Sequence, residues 1–264
     1  MRKLALVFVV ATALLATACS SSDTPSTASG SPSAAGGGEA KTLTVFAAAS
    51  LTESFGALGK QFEASHPGLT VKFNFAGSSA LVQQLTNGAK VDVFASADQA
   101  NMDKATKGQV IDGQPAVFAT NKLTVAVAKG NPKGIKAFAD LARAGTIVVV
   151  CAPQVPCGAA AKKVETNTKV TLKPASEEQD VKAVLTKVQS GDADAGLVYV
   201  TDATSAASKV DKVDFPEASG AINNYPIAVV KDAPQAALAK EFTDFVLGAQ
   251  GKAELTKVGF GPAQ

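Results

Sequence analysis

The sequence predicts an α/β fold of mostly parallel sheets divided into two lobes, and three observations carry that expectation. Strand-like and helix-like apolar patterns alternate along the body of the chain. One strand-like run, Ile147 to Cys151, is apolar throughout, as expected of a strand covered on both faces. The body is about 220 residues long, near the size at which a single core stops growing and a chain divides. No internal repeat with a period of roughly 20–50 residues is visible.

The elements follow in order. Leu43, Val45 and Phe46 make a strand that exits through Ala47-Ala48-Ala49-Ser50. Leu51, Phe55, Leu58 and Phe62 then share one helical face, which His66-Pro67-Gly68 breaks. Val71, Phe73 and Phe75 alternate with Lys72 and Asn74, a strand. Gly77-Ser78-Ser79 turns into a helix carrying Leu81, Val82 and Leu85 and closed by Asn87-Gly88. Val91 to Phe94 is a strand, and Asp98 has the place and chemistry of an N-cap for a helix to about Lys107. Leu123 to Ala128 and Ile147 to Cys151 are strands. Val181, Val184, Leu185 and Val188 form a helical stripe. Strands at 195–200 and 227–230 precede a C-terminal helix marked by Leu238, Phe242, Phe245 and Val246.

Composition excludes several function classes. Hydrophobic residues at 46% with charged residues at 18% rule out wholesale disorder. A net charge of +2 without a basic block argues against nucleic acid as a partner. A single His leaves little for a His-based metal centre.

The first 18 residues read as a signal peptide. Arg2 and Lys3 precede an apolar run from Leu4 to Ala16, too short for a comfortable membrane span. The run ends in Ala16-Thr17-Ala18-Cys19, which resembles a lipobox, where the chain is cut before the Cys and the thiol is acylated. An ordinary signal peptide cut at Ala16-Thr17-Ala18 is the other reading. Removing this segment with Arg2 and Lys3 leaves 23 basic residues against 23 acidic ones, so the apparent basicity belongs to targeting. Residues 19–40 are rich in Ser, Gly and Pro and lack large apolar side chains. They read as a flexible tether, and the 21 residues after Cys19 would reach roughly 25 Å. The expected location is the extracytoplasmic face of a cell membrane, through a lipid on Cys19.

Ligands in open α/β sheets bind beyond the carboxyl ends of the strands, where helices begin. That rule selects Ser50, Ser78, Cys157 and Val181, each at a helix start after a strand or loop. Helix N-termini offer free N–H groups and partial positive charge, so four converging ones suit an oxyanion without Lys or Arg. Tyr199, ending the strand Gly196-Leu197-Val198-Tyr199, adds a phenol donor. Each residue has a plainer reading as well. Ser50-Leu51-Thr52-Glu53 fits a capping box, and Ser78 fits an N-cap. Val181 and Tyr199 fit a core, and Ser176 to Gln179 offers a competing helix start.

Six segments together carry a resemblance. They are Val45-Phe46-Ala47-Ala48-Ala49-Ser50-Leu51, Phe75-Ala76-Gly77-Ser78-Ser79, Asp92-Val93-Phe94-Ala95-Ser96-Ala97-Asp98, Val155-Pro156-Cys157-Gly158, Glu178-Gln179-Asp180-Val181 and Gly196-Leu197-Val198-Tyr199. In this order and spacing the chain resembles the periplasmic molybdate-binding proteins of molybdate ABC transporters, from about Thr42 to Phe260. The resemblance implies a two-lobed type II periplasmic binding protein fold, each lobe a sheet flanked by helices. The implied division is 41–121 plus 227–264 for one lobe and 122–226 for the other, with crossings near Asn121-Lys122 and Tyr225-Pro226. It also implies an oxyanion shell in which Ser50 and Ser78 give hydroxyls and amides, Cys157 and Val181 give amides and Tyr199 gives its phenol. Many relatives have Ala at the position of Cys157, which is harmless if only the N–H is used. Molybdenum would be held as molybdate through these residues, with no direct metal ligand and no cofactor. The implied function is capture of molybdate, and of tungstate, by a monomer that delivers it to a permease. A binder of another oxyanion such as sulfate is the alternative.

Cys151 and Cys157 lie beside this proposed site. Export to an oxidising space favours a disulfide between them, with two free buried thiols as the other reading. An enzyme is the remaining rival class. A serine hydrolase would need His66 as base for Ser50 or Ser78, but His66 sits in a helix-to-strand turn and no G-x-S-x-G elbow exists.

Overall fold

The computed structural model describes residues 41–263. The expected signal peptide 1–18, Cys19 and the tether 19–40 lie outside the described residues. The rest forms two five-stranded sheets, each flanked by helices.

The first half of the chain runs β1 (Lys41–Ala48), α1 (Thr52–Ser65), β2 (Leu69–Ala76), α2 (Ser78–Thr86), β3 (Val93–Ala95), α3 (Gln99–Lys107) and β4 (Ile111–Asn121). The chain then passes into the second sheet through β5 (Leu123–Ala128), β6 (Val148–Cys151), α4 (Pro156–Thr168), β7 (Ser176–Glu178), α5 (Val181–Ser190), β8 (Ala195–Tyr199), α6 (Val200–Ser205) and β9 (Val210–Val213). It returns with β10 (Asn223–Val230) and ends in α7 (Ala236–Leu247) and α8 (Ala249–Lys257).

The sheet orders are β2-β1-β3-β10-β4 and β7-β6-β8-β5-β9. In each, four strands point one way and one runs against them. The reversed strands are β10 and β5, the first strand after each passage between sheets. The mostly parallel sheets of the sequence reading are therefore present, with one reversed strand apiece.

The first passage falls at Lys122, between β4 and β5. The return comes earlier than the expected boundary at 226/227, because β10 already pairs with β4 at Asn223. Pro226, which cannot donate to a ladder, lies inside β10. In the fold it sits at a register shift between Tyr225 and Pro226, where the missing donor is tolerated, and its carbonyl accepts the Ser96 N–H at 2.9 Å.

The apolar stripes bury as their spacing requires. Phe55, Leu58 and Phe62 of α1 pack with Phe242 of α7 in the first lobe. Val184, Leu185 and Val188 of α5 pack into the core of the second, each burial contributing roughly 1.5–3 kcal/mol. Asp98 caps α3 as expected, its Oδ1 accepting the Asn101 N–H at 2.9 Å.

Candidate functional site

Five strand ends meet at one small cavity of about 10 Å³. The chain leaving β1, β2, β6 and β7 brings Ser50, Ser78, Cys157 and Val181 to its wall, and β8 ends there in Tyr199. The five residues selected from sequence thus line a single space, and none is more than 4% exposed.

The two serines do not cap their helices. α1 starts from Leu51 and α2 from Gly77, neither with a side-chain cap bond, so the capping box at Ser50 does not form and Ser78 is the first helical residue. Ser50 Oγ lies instead 3.0 Å from Tyr225 Oη. Ser78 Oγ accepts the Ala97 N–H at 3.0 Å, which leaves its own proton free to point elsewhere.

Val155 and Pro156 open α4 at N-cap and N1, placing Cys157 in the first turn. Cys151 and Cys157 form a disulfide with Cα atoms 5.7 Å apart, tying the end of β6 to the start of α4. With its sulfur in the bridge, Cys157 has its backbone N–H to offer a ligand. Residues 176–178 form the edge strand β7, so the competing helix start there is not used. α5 begins at Val181, with Asp180 Oδ1 accepting the Ala183 N–H at 2.9 Å.

Tyr199 Oη is buried and has no hydrogen-bond partner among the described residues. Burial, then the neighbouring Tyr225 and Asp98, hold its pKa well above the ordinary phenol value. The hydroxyl therefore keeps its proton and stands as an unpaired donor in the cavity wall.

No Lys, Arg or His lines the cavity, and Asp180, occupied in capping, is its one carboxylate. The field comes from oriented dipoles at the N-termini of α1, α2, α4 and α5. The wall suits the oxygens of a small anion and offers no metal-ligand set. Among the described residues no group of three or more His, Cys, Asp or Glu gathers.

The loops of the two lobes touch here. A β-carbon on Gly77 would lie 2.1 Å from the Gln179 carbonyl oxygen and 3.6 Å from Val155 Cγ1, so only glycine admits this approach. Beside the cavity, Lys182 Nζ of α5 bridges Glu53 Oε1 of α1 at 2.8 Å and Asp202 Oδ1 of α6 at 3.0 Å. Burial pushes the Asp202 carboxyl up to about 6, with Lys182 pulling it back. Lys182 loses to burial but gains more from Asp202 and Glu53, so its pKa is raised.

Sequence reasoning missed Tyr225, Lys182, Glu53 and Asp202. The contact of Tyr225 with Ser50 spans 175 residues, and that of Lys182 with Glu53 spans 129. No local spacing reports such pairs.

Residues 43–261 match the family described as bacterial extracellular solute-binding protein. The molybdate-binding protein ModA of Mycobacterium tuberculosis is 53% identical over 221 residues, covering 84% of this chain and 85% of that one. A putative ABC transporter substrate-binding lipoprotein of Bacillus subtilis is 32% identical, covering 83% and 86%. The periplasmic molybdate-binding protein of Azotobacter vinelandii shares the fold, with a TM-score of 0.75 at 24% identity over 84% of this chain and all of that one. The matching family and the mycobacterial identity both span most of the chain, so it belongs to the bacterial extracellular solute-binding proteins, among the molybdate-binding ModA relatives.

Proposed function

We propose that this protein captures molybdate, and tungstate with it, outside the cytoplasm and hands it to the permease of an ABC transporter. Ser50, Ser78 and Tyr199 would give hydroxyls, and the first turns of the helices at Ser50, Ser78, Cys157 and Val181 would give amides. The observation that carries the reading is a wall rich in donors: the Ala97 N–H engages a lone pair of Ser78, the Tyr199 hydroxyl is unpaired, no Lys, Arg or His lines the space, and its one carboxylate, Asp180, caps α5. Phosphate near neutral pH carries a proton and needs an acceptor. Leaving that proton unpaired costs about 1–3 kcal/mol. Molybdate and tungstate carry none. Sulfate carries none either, and size alone would discriminate against it.

Binding rather than catalysis is favoured by the position of His66. Its Nε2 lies 3.1 Å from Glu241 and its ring stacks on Phe62, at the far end of α1 from Ser50. The cavity therefore has two serines and no histidine base. Calorimetric titration with molybdate, tungstate, sulfate and phosphate tests the reading. Heats for the first two and none for phosphate are expected, and equal affinity for phosphate would refute it.

The anchoring of a monomer through acylated Cys19 belongs to the same proposal, supported by the Ala16-Thr17-Ala18-Cys19 segment and by the lipoprotein named among the relatives. A Cys19→Ala variant should leave the membrane fraction. Retention there with fatty-acid labelling intact would count against anchoring at this residue.

A further inference from the structure

Three hydroxyl-bearing residues line the cavity, and what each can give an anion depends on where its own acceptor is engaged. That of Ser78 is engaged by the Ala97 N–H, and Tyr199 has no partner. Ser50 is different: its only partner is another hydroxyl, Tyr225 Oη at 3.0 Å, and one of the two must donate.

The surroundings decide which. Tyr225 is fully buried, and its ring is fixed edge-on against Phe118, Tyr199 and Phe260. Ser50 is the nearest partner of its hydroxyl, at 3.0 Å, and the side chains of Asn121 and Tyr199 also bear on it. If Ser50 donated to Tyr225, the phenol proton would have to turn from its 3.0 Å partner toward Tyr199, and a serine lone pair would face the cavity. If Tyr225 donates, both protons are used: the phenol proton goes to Ser50 Oγ, and the serine proton is released toward the cavity. A phenol is also the stronger hydrogen-bond donor of the two. Burial raises the Tyr225 pKa above its ordinary value, so the donated proton stays in place across the physiological range.

We propose that Tyr225 is a positioning and specificity residue: by donating to Ser50 Oγ it locks that hydroxyl as a donor and so selects fully deprotonated tetrahedral anions over those that carry a proton. The assignment rests on the oxyanion reading above. Tyr225 need not touch the ion. It acts by occupying one of the two serine lone pairs and turning the serine proton toward the ion, so that a P–OH group meets a donor there. Donation along the chain also polarises the serine O–H, which strengthens its bond to a dianion.

The test uses Tyr225→Phe, which keeps the buried ring and deletes only the hydroxyl. Dissociation constants for molybdate, and for phosphate by displacement, are measured on wild type and variant near pH 7, with melting temperature as the check on folding. The expected result is weaker molybdate binding together with a phosphate-to-molybdate ratio narrowed by about tenfold, equivalent to ~1.4 kcal/mol. A merely structural tyrosine would weaken both anions in proportion and leave the ratio unchanged. As a second arm, Tyr225→Phe placed on Ser50→Ala should change the ratio no further, because the oriented group is gone. A wild type that binds molybdate, with a Tyr225→Phe ratio equal to its own, overturns this assignment alone. A further narrowing in the Ser50→Ala background also overturns it. A wild type that binds no tetrahedral oxyanion overturns the oxyanion reading and this assignment with it.

Discussion

Ser50 and Ser78 are the residues on which the proposed site is most easily tested. Each hydroxyl would bond a charged ligand, and removing one such bond costs about 1.5–3 kcal/mol. Ser78→Ala should therefore weaken molybdate binding by roughly 10- to 100-fold. Ser50→Ala should do about as much, and should also lower the melting temperature, because it removes the 3.0 Å partner of the buried Tyr225 hydroxyl. Calorimetry on the two variants checks this, and wild-type affinity in both would remove these serines from the site. The positions were legible in sequence because strand ends and helix starts leave local signals, such as Gly77 before Ser78 or Val155-Pro156 before Cys157. The role of the side chains was not. Capping and ligand binding call for the same residue types at the same places, and only the partners, Tyr225 for Ser50 and the Ala97 N–H for Ser78, separate them.

At the scale of elements, α5 does two things: its first turn lines the cavity, and its second residue, Lys182, ties α6 to α1. The Asp202 carboxyl titrates near 6 in the fold against an ordinary value of 3.8. A raised carboxyl pKa means that protonation favours the folded state. That contribution is complete below about pH 3.8 and is lost as pH rises through about 6. Above that, the buried carboxylate depends on Lys182. Lys182→Met should then destabilise the protein by about 3–5 kcal/mol at pH 8, and by clearly less at pH 5, where Asp202 can take up a proton. Urea unfolding of both proteins at the two pH values measures this, and an equal loss at both would show that Asp202 does not titrate as described. The elements with strong periodicity, α1, α5 and the run through β6, could be read from sequence. β4 could not, because its first half carries Gly113 and Pro115 and is largely exposed. β7 and β9, three and four residues long, carry too few positions for an alternating pattern to stand out.

Over the whole molecule the two sheets repeat one strand order, so β1 corresponds to β6, β2 to β7 and β3 to β8. Ser50 and Cys157 thus occupy equivalent junctions, as do Ser78 and Val181, although the two halves show no sequence repeat. A ligand between them would be held from both sides by the same architectural device. The approach of Gly77 to Gln179 makes glycine a condition of that arrangement. Gly77→Ala should hold the lobes apart, weaken molybdate binding and reduce the contraction that small-angle scattering records on adding the ion. A variant that contracts and binds like wild type would show that the loops can yield. In wild type, ion at 100 times its Kd should add about 2.7 kcal/mol of stability, a melting shift of roughly 5–10 °C for a protein of this size. The burial of every proposed contact residue has a kinetic side. If an ion seated among them leaves only when the lobes part, its residence time is set by how often they do so. Excess competitor in solution would then leave the release rate unchanged, and a permease that pries the lobes open would discharge the cargo by shortening that wait.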